Sequence, residues 1–185
     1  MATTPLLISV EEYLATAYRP DCDYVDGEVL ERNMGETPHS RLQKYFLKYF
    51  DAHEDEWNIE ALPEERVQIS ATRFRIPDVM VAAPSDIGDR IIQTPPLLCI
   101  EILSSGDRIA KIEERLADYA RMGVKSMWVI DPWRGIAYSA GSDAVLVHVK
   151  DRLTVEGTAI SITVAEIFDE LERLEKRTAT GSSTT

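Results

Sequence analysis

The sequence has few of the residues that mark a secreted or membrane-bound protein. Its 185 residues contain only two cysteines, and we interpret Cys22 and Cys99 as thiols buried in a reducing cytoplasm rather than as a disulfide. No apolar run approaches the roughly 18 residues that span a bilayer. The N-terminus also lacks the basic start and apolar stretch of a secretory signal. The sequence therefore predicts a cytoplasmic protein with no membrane partner.

Positive charge is also scarce. Lysine and arginine number 20 against 32 acidic residues, which gives a net charge of −12. A simple nucleic-acid binder usually carries a basic surface, so this balance argues against tight, nonspecific DNA binding by a monomer. A nuclease is not excluded, because a local basic patch and bound metal can offset the charge. The chain has no glycine-rich Walker loop and no Gly-x-Ser-x-Gly element, which argues against those phosphate-binding and nucleophile motifs.

The hydrophobic pattern predicts a single domain of mixed helices and strands. Ser9 begins a short helix, Asp26-Gly27 turns a strand pair, and Thr37-Pro38 opens a long amphipathic helix. Further strands are expected at 57–61, 66–70, 74–81, 97–103, 127–130, 136–139 and 145–149. Two more helices are expected: one that residues 104–107 cap at its start, and one over residues 164–174. This order predicts an α/β or α+β fold, a mixed β-sheet flanked by α-helices. We expect the domain to cover residues 1–175 and residues 176–185 to form a disordered tail.

Two acidic residues stand inside apolar runs that are typical of buried strands. Asp78 lies within residues 74–81 and Glu101 within residues 97–103. A bare buried carboxylate costs several kcal/mol unless a cation, a donor or a proton compensates it. If the two strands are neighbours, the carboxylates lie side by side and a shared divalent metal would offset their repulsion. Magnesium suits such a site, because it uses one or two carboxylates together with waters and phosphates. The alternative is that the acids pair with the arginines Arg75, Arg108 or Arg115.

Several phrases of the sequence resemble a known family in their order and spacing. They are YVDGEV, RIPDVMVA, PPLLCIEILSSGDR and ERLADYARMGVKSMWVIDP. Together they are similar to the Uma-two family of putative restriction endonucleases, within the PD-(D/E)XK nuclease-like superfamily. The resemblance runs from about Tyr24 to Pro132 and implies a restriction-endonuclease-like fold.

The resemblance also implies roles for individual residues. Pro77-Asp78 matches the PD element, and Glu101 matches the acidic residue of the second element. The lysine of that element would fall at Leu103, so the cation is expected from the following helix. There Lys111 and Arg115 stand four apart, on one helical face. Arginine stays protonated and is a poor general base, whereas Lys111 suits a neutral amine. The alternative for both is a solvated basic edge of the helix.

Two more residues complete the candidate site. Glu28 resembles an acidic position of the family and is expected as a third carboxylate near the metal, or else as a strand-edge glutamate. His39, early in the long helix, is expected to position water or phosphate, or else to be a buried structural histidine.

The sequence thus predicts a Mg²⁺- or Mn²⁺-dependent nuclease acting on DNA. Asp78, Glu101 and Glu28 would hold the metal, and Lys111, Arg115 and His39 would assist. The alternative is a noncatalytic, nuclease-like module kept for binding or self-association, in which protein donors satisfy both acids. A homodimer is compatible with either interpretation.

Overall fold

The computed structural model describes residues 7–33 and 35–181, and side chains up to residue 178. The helices in this range are Val10–Ala15 (α1), Thr37–Asp51 (α2), Glu54–Trp57 (α3), Ile109–Met122 (α4) and Val164–Gly181 (α5), with a 3-10 turn at Pro84–Asp86. The strands are Asp23–Val25 (β1), Glu28–Leu30 (β2), Glu60–Pro63 (β3), Val67–Ser70 (β4), Arg73–Arg75 (β5), Val79–Ala82 (β6), Leu98–Ile102 (β7), Met127–Asp131 (β8), Ile136–Ala140 (β9), Val147–Val149 (β10), Arg152–Thr154 (β11) and Ser161–Thr163 (β12).

The strands form a mixed sheet, an antiparallel sheet and a hairpin. The six-stranded sheet has the order β10-β9-β8-β7-β6-β3, and the four-stranded sheet has the order β2-β1-β5-β4. Strands β7 and β8 pair in parallel and are joined through α4, whereas their other neighbours in the large sheet pair antiparallel. This arrangement confirms the predicted mixed α+β fold. None of the helices within residues 7–33 and 35–181 has the length and apolarity that a bilayer crossing requires.

The central strand β7 divides the core into two layers. Successive side chains point to opposite faces of a strand, so Leu98, Ile100 and Ile102 pack in one buried cluster with α2 and α5. Cys99 and Leu103 pack on the other face, in a cluster that includes residues of α4. Glu101 shares that second face by alternation, which brings a carboxylate beneath α4.

The two long helices α2 and α4 follow their predicted patterns of apolar residues, but the start of α4 is not capped as predicted. In α2, Leu42, Phe46 and Phe50 are buried at four-residue spacing, and Pro38 lies in the first turn. Helix α4 ends at Gly123, whose φ of 108° is the left-handed conformation that glycine adopts readily. The predicted capping of α4 by residues 104–107 is wrong, because its N-cap is Arg108 and no side chain caps it.

The predicted strand over residues 74–81 is two strands. It breaks at Ile76-Pro77-Asp78, so that β5 and β6 belong to different sheets. Proline has no N–H to donate and cannot continue a ladder on both sides. The break leaves Asp78 directly before β6. Because Val79 pairs with Ile100 in an antiparallel register, Asp78 lies opposite Glu101.

Smaller differences concern the periphery. A strand was predicted over 57–61, but residues 54–57 form α3, which ends at a left-handed Asn58, and β3 begins at Glu60. The hairpin of β11 and β12 was not predicted. Helix α5 continues through Gly181, into the predicted tail, with a salt bridge of 2.6 Å between Lys176 and Glu172. Residues 182–185 lie outside the described residues.

Candidate active site

Two buried carboxylates converge where β6 begins and β7 ends. Asp78 and Glu101 are both nearly inaccessible to solvent, and Asp78 Oδ2 accepts a hydrogen bond of 2.7 Å from the backbone N–H of Ile102. Both acids line a cavity of about 20 Å³, which is room for a single water molecule or ion. The other charged side chains of this cavity are Arg32, His39, Asp107 and Arg115.

Two cationic partners surround Asp78. Arg32, just after β2, donates a hydrogen bond to Oδ1 of Asp78. His39, in the first turn of α2, places Nε2 3.1 Å from Oδ2. Burial opposes ionisation of Asp78, but the hydrogen bond with His39 and the charge of Arg32 outweigh it, so that the pKa of Asp78 is lowered. Burial would lower the pKa of His39, yet its hydrogen bond to Asp78 raises that pKa above the ordinary value. Asp78 is therefore held as a carboxylate.

Helix α4 supplies both side-chain partners of Glu101. Arg115 Nη1 donates to Oε2 at 2.7 Å, and the Tyr119 hydroxyl donates to Oε1 at 2.6 Å. The two donors are four residues apart, so they lie on the same face of the helix. Burial raises the pKa of Glu101, the charge of Arg115 opposes that rise, and the negative charge of Asp78 adds to it. The pKa of Glu101 is raised overall, so the two facing acids are pushed in opposite directions.

A second layer of charges holds Arg115 in place. Asp23 of β1 forms an ion pair with Arg115, at 3.2 Å from its Nη2, and accepts a hydrogen bond from Arg75 Nη1 at 3.0 Å. Arg75 Nε in turn donates to Asp118 of α4 at 2.7 Å. Asp23 also accepts from the backbone N–H of Ile76 at 3.1 Å. The small sheet is thereby bound to α4 behind the cavity, which fixes the direction from which Arg115 reaches Glu101.

The structure brings four of the six predicted site residues together. Asp78, Glu101, His39 and Arg115 line the cavity. Glu28 opens β2 opposite Val25 and is not among the residues that line it. The same holds for Lys111, which is exposed in the first turn of α4.

The structure also shows which of the arginines considered as partners contact the two acids. Arg115 does pair with Glu101, but Arg75 binds Asp23 and Asp118 instead. Leu103, at the position expected for lysine, is buried in the apolar cluster beneath α4. A cation therefore cannot come from residue 103, and the guanidinium of Arg115 stands beside Glu101.

Three residues of the site escaped the sequence analysis. Tyr119 is buried on α4 with Ile112 and Leu116, where the sequence pattern indicates a core residue. Asp23 is the first residue of β1, a strand too short for its pattern to indicate a buried acid. Arg32 gave no local signal, because it follows an edge strand and its partner Asp78 is 46 residues away.

Two buried nitrogen atoms of the site have no hydrogen-bond partner among the described residues. They are Nε of Arg32 and Nδ1 of His39. Both residues, together with Asp78, also line an adjoining cavity of about 90 Å³. Buried polar atoms are rarely left without a partner, so these two nitrogens are suited to hold a ligand group beside Asp78.

The carboxylates suit a hard divalent cation. Within the described residues there is no group of three or more His, Cys, Asp or Glu side chains arranged to hold a metal. Magnesium nevertheless uses one or two carboxylates and completes its shell with water and substrate oxygens. Asp78 and Glu101 match that minimal donor set.

Comparisons with known proteins place the chain in a family. The family model Uma2, described as "Putative restriction endonuclease", matches residues 10–140. The crystal structure of a putative nuclease belonging to DUF820 from Anabaena variabilis ATCC 29413 has a TM-score of 0.79 at 19% sequence identity, over 89% of this chain and 99% of that chain. At this identity the likeness shows a common fold. A search of curated protein sequences found no match. Because the family model spans more than half of the 185 residues, the chain belongs to the Uma2 family, as its sequence resemblance predicted.

Proposed function

We propose that this protein is a Mg²⁺- or Mn²⁺-dependent endonuclease that hydrolyses DNA phosphodiester bonds. The observation that carries the proposal is the convergence of two buried acids and two arginines on one small cavity. Transferring charges from water into a protein costs several kcal/mol per ion. Clusters of buried, mutually perturbed titratable groups in a cleft are typical of active sites. Family membership supplies the reaction class.

Asp78 and Glu101 are the proposed metal ligands. When bound, the ion would activate a water molecule and stabilise negative charge on the phosphate. Arg115 and Tyr119 hold Glu101 from the side of α4. These two contacts orient the carboxylate in the wall of the cavity, which Arg115 also lines.

Arg32 and His39 are the proposed contacts to substrate. Arginine remains protonated and binds phosphate through several N–H groups, so Arg32 would stabilise charge rather than accept a proton. His39 uses Nε2 for Asp78. Its Nδ1 can accept a hydrogen bond from water when the ring is neutral, or donate one to a phosphate oxygen when the ring is protonated.

A plasmid-nicking assay with Mn²⁺ tests the proposal. We expect wild type to nick supercoiled DNA and Asp78→Asn to lose at least about 100-fold in rate, because the substitution removes a charged ligand. Asp89→Asn is a matched control, since Asp89 is exposed and does not line the cavity. Equal nicking by wild type and Asp78→Asn would reject the assignment.

A noncatalytic binding or self-association module is the second candidate. The observation in its favour is that protein donors already contact both oxygens of each acid. This candidate predicts that calorimetric titration with Mn²⁺ gives the same absence of binding heat for wild type and Asp78→Asn. Heat that disappears in the variant would support the endonuclease.

We further propose that the protein acts in the cytoplasm as a homodimer. Its two cysteines are free and buried, which suits a reducing compartment. Cutting both strands of a duplex commonly uses two sites, which a symmetric dimer would provide. Sedimentation equilibrium tests the dimer, and a mass of 20.8 kDa at all concentrations would contradict it.

A further inference from the structure

A groove between α2 and α5 has a charge opposite to that of the chain as a whole. It has a volume of about 470 Å³, in a protein whose net charge is −12. Its charged lining consists of five cationic side chains and one carboxylate: Arg41, Lys44, Lys48, Arg173, Arg177 and Glu170. We call this feature the basic groove.

The spacing of the cations on the two helices concentrates like charge. Lys44 and Lys48 are one turn apart on α2 and exposed, and Arg173 and Arg177 have the same spacing on α5. Like charges at this spacing destabilise a helix. Glu170, the carboxylate of the lining, is engaged by Arg173 at 2.6 Å. Arg41 is also engaged, because it donates to the Thr178 hydroxyl at 2.6 Å. Lys44 and Lys48 are the exposed cations of α2 that an anionic ligand could reach.

The basic groove and the candidate active site share helix α2. The first turns of the helix reach the site, through His39 and through Gln43, which donates to the backbone carbonyl of Asp78 at 2.9 Å. Residues from Arg41 to Lys48 line the groove. At 1.5 Å and about 100° per residue, Lys48 lies roughly 14 Å along the axis from His39 and about half a turn around the helix, so the groove and the site face opposite sides of α2.

We infer that the basic groove binds the phosphate backbone of the DNA substrate away from the cleaved bond. The inference rests on the proposed endonuclease function and adds where the substrate lies. It answers the objection raised by the acidic composition, because a local track of cations binds phosphates despite an unfavourable net charge. Several cations in a row suit a repeating polyanion better than a single small anion.

Binding of a fluorescein-labelled DNA duplex, measured by anisotropy in EDTA over a salt series, tests the groove. The variant Lys44→Ala/Lys48→Ala removes two of its charges. The control Lys125→Ala/Lys150→Ala makes the same change of net charge at exposed positions outside the groove. We expect the groove variant to bind about tenfold more weakly and its plot of log affinity against log salt to flatten by about 1.8, at roughly 0.9 for each lost phosphate contact. The control should bind as wild type does.

The outcomes separate the groove from the function on which it rests. If wild type nicks plasmid with Mn²⁺ but both double variants bind and cut like wild type, the groove inference is overturned and the endonuclease stands. If wild type neither nicks nor binds DNA, both fail. Unchanged DNA affinity together with a variant-sensitive affinity for polyglutamate would overturn the inference in favour of an acidic protein partner.

Discussion

Replacing Arg75 with methionine probes the buried charges that support the site. The Arg75 side chain is 3% exposed, and its partners Asp23 and Asp118 are each 1% exposed. The guanidinium donates to Asp118 at 2.7 Å and to Asp23 at 3.0 Å. Methionine has a similar length but no charge, so Arg75→Met removes these donors with little change in volume.

The expected loss of stability follows from the partners left behind. Breaking a buried ion pair from one side typically costs about 3–5 kcal/mol. Asp23 retains Arg115 as a cationic neighbour and Asp118 retains Arg73, so neither acid is left without a cation. We therefore expect the lower end of that range, about 3 kcal/mol of the free energy of unfolding.

Urea unfolding followed by tryptophan fluorescence, to which buried Trp128 contributes, measures this loss. Arg121→Met is the matched control, because Arg121 also binds Asp118 but its side chain is 57% exposed. Because the Arg121 side chain is mostly hydrated and Asp118 keeps Arg73 and Arg75, we expect Arg121→Met to lose about 1 kcal/mol or less. If the two variants lose equal stability, or if Arg75→Met loses under about 1 kcal/mol, the reasoning about this network is refuted.

Three further predictions concern the site and its helix. Arg32→Met should bind Mn²⁺ at least about tenfold more tightly by calorimetry, because the positive charge that contacts Asp78 and would repel a cation is lost; unchanged affinity would contradict a metal beside Asp78. Tyr119→Phe should lower the free energy of urea unfolding by about 1–3 kcal/mol, since Glu101 loses a buried donor; a loss no greater than a few tenths of a kcal/mol would show that the hydroxyl does not matter. Gly123→Ala should lower the thermal midpoint by several degrees, at about 1 kcal/mol or more, because its φ of 108° strains alanine; an unchanged midpoint in calorimetry would rule this out.

The sequence revealed the two acids because their surroundings are apolar. A carboxylate inside a run such as Leu97–Leu103 requires compensation whatever the fold. Information of this kind is local and can be read from one segment. Arg115 was one of three arginines considered as a partner for the acids, and the family resemblance rather than periodicity placed it at the site.

What the sequence did not reveal is the set of distant partners. Asp23 and Arg75 are 52 residues apart, and their contact depends on how β1 and β5 pair. The proline that breaks the strand at Pro77 is visible in the sequence. The sequence does not show that the segments on its two sides join different sheets. Two short strands of different sheets look the same in sequence as one longer strand, because their apolar patterns run together.

The two ion pairs at the cavity differ in how far apart their partners lie in the sequence, and this difference affects the order in which the site assembles. The Glu101–Arg115 pair joins residues 14 apart, and the Asp78–Arg32 pair joins residues 46 apart. Loop-closure entropy makes the longer connection costlier by about 1 kcal/mol, and local contacts form sooner in folding. On refolding of the full chain we therefore expect the Glu101–Arg115 half of the cavity to form before Arg32 closes the other half.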